Sequence, residues 1–221
     1  MTFLRVLLVD SHVMLTDALT VQLSTATDLW VVGAATPEDP RLLDMIRALR
    51  PDVITTEIGS ATAATAGMLR KLRAAYPPAQ LVVLTGSHDC AHAVVAARAG
   101  AAAWVSKEGS LDHLLEVLRG VPRGHAFYPP RQLSVVLREL REDVHRARDC
   151  SARLDVLSRR EREVLLRMVD GKPVSQIALE SVVSPSTVRT HVRSILTKLG
   201  VRSRLEAVSV ARAAGLRPVA D

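Results

Sequence analysis

Ser184-Pro185-Ser186-Thr187-Val188-Arg189-Thr190-His191-Val192-Arg193-Ser194-Ile195-Leu196-Thr197-Lys198-Leu199 is the stretch whose reading decides the fold of this chain. Wound as a helix, it sets Val188, Val192, Ile195, Leu196 and Leu199 on one face, the spacing of a buried stripe. The opposite face carries Ser186, Arg189, Thr190, Arg193 and Thr197, with no acidic residue inside the segment to neutralise the cations. Ser184 has the side chain of an N-cap, and Pro185 suits a first helical turn. A helix that is apolar inside and cationic outside has the shape and charge to lie in a DNA major groove.

The flanks fit that placement. Leu157-Ser158-Arg159-Arg160-Glu161 opens an earlier helix with a capping box, in which Ser158 and Glu161 serve each other's backbone amides. Val164, Leu165 and Met168 give that helix its inner face, and Gly171-Lys172-Pro173 ends it. Val174–Val182 forms a second helix with Ile177 and Ala178 inward, and Val183-Ser184-Pro185 turns the chain into the cationic one. After Gly200, residues Ser203–Ala214 make a fourth helix. Four short helices with a tight turn before the cationic one predict a helix-turn-helix domain over residues 155–221.

Charge divides the chain in the same way. Residues 1–120 hold 10 Lys/Arg against 12 Asp/Glu, whereas 121–221 hold 19 against 11, so the basic half is the one suited to a polyanion. A hydrophobic fraction of 48% with 24% charged residues belongs to a soluble globular protein. No apolar run of about twenty residues marks a membrane span, and the first residues reach Asp10 too soon for a signal peptide. Cys90 and Cys150 stand far apart and form no CxxC pair, which points to a cytoplasmic protein without structural disulfides.

Residues 1–120 alternate short apolar runs, at 3–9, 30–34, 53–56, 81–84 and 102–105, with helical stretches at about 13–25, 39–49, 62–75, 90–99 and 110–119. That order predicts an α/β doubly wound, five-stranded parallel sheet covered on both faces. Sites in such sheets lie at the carboxyl ends of the strands, which here hold Asp10, Ser11, Glu57, Thr85 and Lys107. Residues 121–154 form a linker. Leu133, Val136, Leu137, Leu140, Val144 and Ala147 recur there at helical spacing, predicting an amphipathic helix of roughly eighteen residues. Its apolar stripe must bury against the first domain, the last domain or a second copy.

Two resemblances follow from these residues. Val9-Asp10-Ser11-His12, Pro51–Glu57, Val83-Leu84-Thr85 and Ala99–Lys107 resemble the signature segments of bacterial response-regulator receiver domains, in order and spacing. In that family two acids after the first strand bind Mg²⁺ and an Asp after the third accepts a phosphoryl group. A Thr/Ser and a Lys after the fourth and fifth contact the phosphate. Ser158 to Leu165, Gly171, Ile177-Ala178, Ser186 to Val192, Lys198-Leu199 and Arg202 to Ala207 resemble the LuxR-type (NarL/FixJ) DNA-binding domain. That resemblance implies base contacts by Arg189, Thr190 and Arg193, phosphate contacts by Thr187 and Lys198, and dimerisation through the last helix. The whole then reads as a non-enzymatic transcription regulator, a homodimer on an inverted repeat of double-stranded DNA.

The departures carry as much information. Ser11 stands where the second Mg²⁺-binding acid is usual, and Glu57 where the acceptor Asp is usual. Mg²⁺ demands charged oxygens in near-octahedral array, and a hydroxyl removes charge from that shell. The extra methylene of Glu57 moves its oxygens out of line for attack on a phosphoryl donor. Both argue against phosphoryl transfer. Three readings of Glu57 and Lys107 then stand: a structural ion pair closing the pocket, partial imitation of a phosphorylated Asp, or a site for a small-molecule or protein effector. Residues 58–65 are small and lack the usual turn of the family, and Pro173 replaces its usual Ser or Thr cap. Trp104 takes the place of the family's switch aromatic, either as a gate or as a packed surface aromatic. His88-Asp89-Cys90-Ala91-His92 has a metal-like spacing but no second ligand set, so it reads as a capping loop. No cofactor motif, nucleophile elbow or metal set is read elsewhere.

Overall fold

The computed structural model describes residues 3–217. They form two compact units, within 1–139 and 140–221. In the first, strands β1 (Leu4–Val9), β2 (Leu29–Ala35), β3 (Val53–Thr56), β4 (Gln80–Thr85) and β5 (Ala103–Ser106) alternate with helices α1 (Val13–Leu23), α2 (Leu42–Leu49), α3 (Ala63–Ala75), α4 (Cys90–Arg98) and α5 (Leu111–Gly120). The sheet is wholly parallel in the order β2-β1-β3-β4-β5. β1, β3 and β4 are flanked by strands and covered by helices, so Val6, Leu7, Val53, Ile54, Val82 and Val83 are at most 1% exposed. This continuous burial explains why the sequence shows unbroken apolar runs rather than alternation.

Past α5 the chain returns to the sheet. The Phe127 amide donates to the Ala102 carbonyl at 3.2 Å, and the Trp104 amide donates to the Phe127 carbonyl at 2.7 Å. The β5 edge is thereby partly paired by the chain's own linker. Trp104 is 3% exposed, which overturns its reading as a surface aromatic: a strand covered on both faces has no outward position for it. Tyr128 donates its hydroxyl to the Ala101 carbonyl at 2.8 Å, and burial pushes its pKa up.

The linker helix α6 runs from Pro130 to Leu154, 25 residues rather than roughly eighteen. Its extra turns lack apolar periodicity and so escaped a pattern reading. They are held at both ends instead. Gln132 donates to the His88 carbonyl at 3.2 Å, and Leu154 joins the core of the second unit.

That second unit holds α7 (Arg159–Val169), α8 (Val174–Ser181), α9 (Pro185–Leu199) and α10 (Arg204–Ala213). The capping box forms: Ser158 Oγ accepts from the Glu161 amide at 3.3 Å, and Glu161 Oε2 accepts from the Ser158 amide at 2.7 Å. Leu165, Met168, Ile177, Val188, Ile195, Leu199 and Ala211 close the core. Pro173 stands at the N-cap of α8 with no side-chain cap bond, the consequence expected of losing a hydroxyl there.

Val182 ends α8 in the left-handed region at φ 53°, ψ 46°, with its side chain 91% exposed. A β-branched residue is strained there, and its exposed side chain gains little burial to offset the strain. Val182→Gly is therefore expected to stabilise this unit by about 1 kcal/mol, read as a higher urea midpoint for its transition.

Candidate receiver pocket and helix-turn-helix face

The carboxyl ends of β1, β3 and β5 bring Asp10, Ser11, Glu57 and Lys107 together. Lys107 Nζ lies 2.7 Å from Asp10 Oδ2 and 2.7 Å from Glu57 Oε1. The other oxygens of the same carboxylates face His12: Nδ1 is 3.0 Å from Asp10 Oδ1 and 3.1 Å from Glu57 Oε2. Both partners are acceptors, so Nδ1 carries its proton and donates to them. Ser11 Oγ donates to Glu57 Oε2 at 3.0 Å. Burial raises the Asp10 pKa, but hydrogen bonds from Lys107 and His12 lower it further, leaving it below its ordinary value.

His12 is the member of this cluster that sequence reasoning missed. Locally it makes a turn at the end of β1, in which its amide donates to Asp10 Oδ1 at 2.8 Å. Its ring then reaches Glu57, 45 residues away, a contact that no local pattern encodes. Thr85 stands apart from the cluster. Its hydroxyl accepts from the Ser87 amide at 3.0 Å and donates to the Ile58 carbonyl at 3.4 Å.

The Mg²⁺ that the receiver family binds here does not fit these residues. Ser11 offers a neutral hydroxyl where the family has a carboxylate, and an ammonium already bridges the two carboxylates that remain. The pocket opens beside Pro37, Glu38, Thr65 and Met68 into a cleft of about 560 Å³. His88 and His92 do not converge as ligands: Asp89 caps α4 through the Ala91 amide at 2.8 Å, and His92 Nδ1 sits 2.9 Å from Ser87 Oγ.

In the second unit α9 presents Ser186, Thr187, Arg189, Thr190 and Arg193, all exposed. Ser184 Oγ accepts from the Thr187 amide at 3.1 Å and so caps the helix. Thr190 Oγ1 donates to the Ser186 carbonyl at 3.1 Å, lying along the helix surface. Among the described residues no acidic side chain pairs with Arg189 or Arg193, so both guanidinium groups stand free.

Lys198, expected at a phosphate, also has a partner within its own unit. Its Nζ lies 2.8 Å from Glu161 Oε2, while Ser194 Oγ donates to Glu161 Oε1 at 2.6 Å. Glu161 is 4% exposed, and burial alone would raise its pKa. The bonds from Lys198, Ser194 and Ser158 outweigh burial and push it down to about 2. The capping residue of α7 thus also locks the cationic helix.

An open parallel α/β unit with a receiver-type pocket, followed by a helix-turn-helix unit with a free cationic face, defines a two-domain response regulator. The "Response regulator receiver domain" model matches residues 6–119, and the "Bacterial regulatory proteins, luxR family" model matches residues 155–211. This chain belongs to the LuxR-family DNA-binding response regulators. It is 30% identical over 207 residues to the probable transcriptional regulatory protein NarL of Mycobacterium tuberculosis, covering 94% of this chain and 93% of that protein. It is 26% identical over 216 residues to the transcriptional regulatory protein DegU of Brevibacillus brevis, covering 93% and 91%. Among solved structures, Salmonella typhimurium RcsB shares the fold at a TM-score of 0.53 and 20% identity, over 96% of this chain and 99% of that one.

Proposed function

We propose that this protein regulates transcription as a cytoplasmic homodimer on an inverted repeat, and that its receiver works without phosphorylation. The observation that carries the reading is the bridge of Lys107 to both Asp10 and Glu57 at 2.7 Å. The lysine that would meet a phosphate is spent on the two carboxylates that would bind the metal and accept the phosphoryl group. Thr85, turned to Ile58 and Ser87, does not complete an imitation of the phosphorylated state. The pocket is thus an ion pair closed on itself, and an effector, if the receiver takes one, has the cleft beside Glu57 to enter. Within the DNA-binding unit Arg189, Thr190 and Arg193 read bases and Thr187 meets a phosphate, while Lys198 holds α9 to α7. RcsB, which shares the fold, has been solved as dimers bound to DNA, an arrangement in line with this reading.

Incubation with acetyl phosphate and Mg²⁺ followed by intact mass tests the receiver. The expected spectrum holds unmodified protein alone. A phosphoryl adduct on Asp10 or Glu57, located by fragmentation, would overturn the reading.

A further inference from the structure

Of the three residues assigned above to bases, Thr190 alone is uncharged. Arg189 and Arg193 stand about 6 Å apart along the axis of α9, and Thr190 lies between them in height. It is exposed, and as the sixth residue of α9 it falls in the N-terminal half that recognition helices turn to base edges. A hydroxyl offers one donor and two acceptor lone pairs. In Thr190 the donor is spent, because Oγ1 donates to the Ser186 carbonyl at 3.1 Å. The oxygen therefore lies against the helix backbone, and Cβ has only its methyl and a hydrogen left to point away. Thr197 makes the same bond, to the Arg193 carbonyl at 3.1 Å, but stands two turns further from the helix start. Ser186, nearer that start, has no methyl, and its Oγ lies 2.6 Å from Ser184 Oγ. Between two free guanidinium groups the outermost group is thus apolar.

We infer that Thr190 recognises a thymine in each half-site, through contact of its methyl with the thymine C5-methyl. The inference rests on the base-reading assignment of α9 and adds the base that this position selects. In the major groove guanine shows two acceptors, cytosine a donor and adenine one of each, while thymine alone adds a methyl. The polar edges need a polar partner, which a spent hydroxyl supplies poorly. Arg189 and Arg193 serve the guanine acceptors on either side, so the half-site joins guanines to a thymine. The methyl contact adds selectivity of about fourfold per half-site, the worth of burying one such group.

The test uses the full chain and a duplex operator that it selects from random-sequence DNA, at one fixed salt. Each thymine is replaced in turn by deoxyuridine, which removes the C5-methyl and leaves base pairing unchanged. At one position per half-site the change is expected to weaken wild-type binding about fourfold. Thr190→Ser keeps the hydroxyl without the methyl and is expected to bind the thymine and uracil duplexes alike. Thr190→Val keeps a methyl without the hydroxyl and is expected to retain the preference. A wild type indifferent to every uracil, a Thr190→Ser chain as sensitive as wild type, or a Thr190→Val chain that is indifferent would overturn the proposal. If Arg189→Ala and Arg193→Ala still lose operator preference in that case, the base-reading assignment of α9 stands without it. If they keep the preference, both fall.

Discussion

Glu161→Ala is expected to destabilise the helix-turn-helix unit by about 2 kcal/mol, measured as a fall in its urea midpoint with an unchanged slope. The carboxylate accepts from the Ser158 amide, Ser194 Oγ and Lys198 Nζ at 2.7, 2.6 and 2.8 Å. Removing it breaks the capping box of α7 and the tie to α9 in one step. The loss stays below that of a fully buried pair, because the Lys198 side chain is 39% exposed and can turn to water. The pH dependence has a definite sign. Glu161 is pushed down from 4.5 to about 2 in the folded chain, so its contribution is fully present above about 4.5. It is lost as pH falls through about 2. Between those values the wild type therefore loses stability that Glu161→Ala never had, and the gap between the two narrows.

Arg189→Ala and Arg193→Ala are each expected to cost about 1–3 kcal/mol of discrimination between an operator and scrambled DNA, roughly ten- to a hundredfold. A guanidinium can place two donors on a guanine edge, a match that alanine cannot supply. Neither arginine has an acidic partner among the described residues, so the unfolding midpoint is expected to stay where it is. That separates them from Glu161, whose loss moves stability first. Measurement at one fixed salt is essential, since phosphate contacts alone make affinity fall steeply with ionic strength. Thr187→Ala, by contrast, should weaken operator and scrambled DNA about equally. Loss of affinity without loss of preference in Arg189→Ala and Arg193→Ala would refute their assignment to bases.

Much of this was legible in the residues. The helix-turn-helix unit could be read because its signals are local: the spacing from Val188 to Leu199, the Ser158–Glu161 box and Gly200 at a left-handed helix end. The parallel sheet could be read from its unbroken apolar runs, and the replaced positions Ser11 and Glu57 stood out against the family pattern. What escaped was set by contacts far apart in the chain. His12 meets Glu57 only once β1 and β3 pair, and Lys198 meets Glu161 only once α7 packs on α9. Lys198 seen alone is a cation on a cationic helix, and the acid that claims it lies 37 residues earlier. Trp104 is buried only once both faces of its strand are covered. The length of α6 depends on what anchors its two ends, which apolar period cannot register.

The central claim is that DNA binding here does not wait for a phosphoryl group on the receiver. It is tested most directly by measuring the affinity of the full chain for an operator selected from genomic fragments, before and after treatment with acetyl phosphate and Mg²⁺. The account predicts one dissociation constant, the same in both states. Binding that tightens tenfold or more in step with a phosphoryl adduct would contradict it.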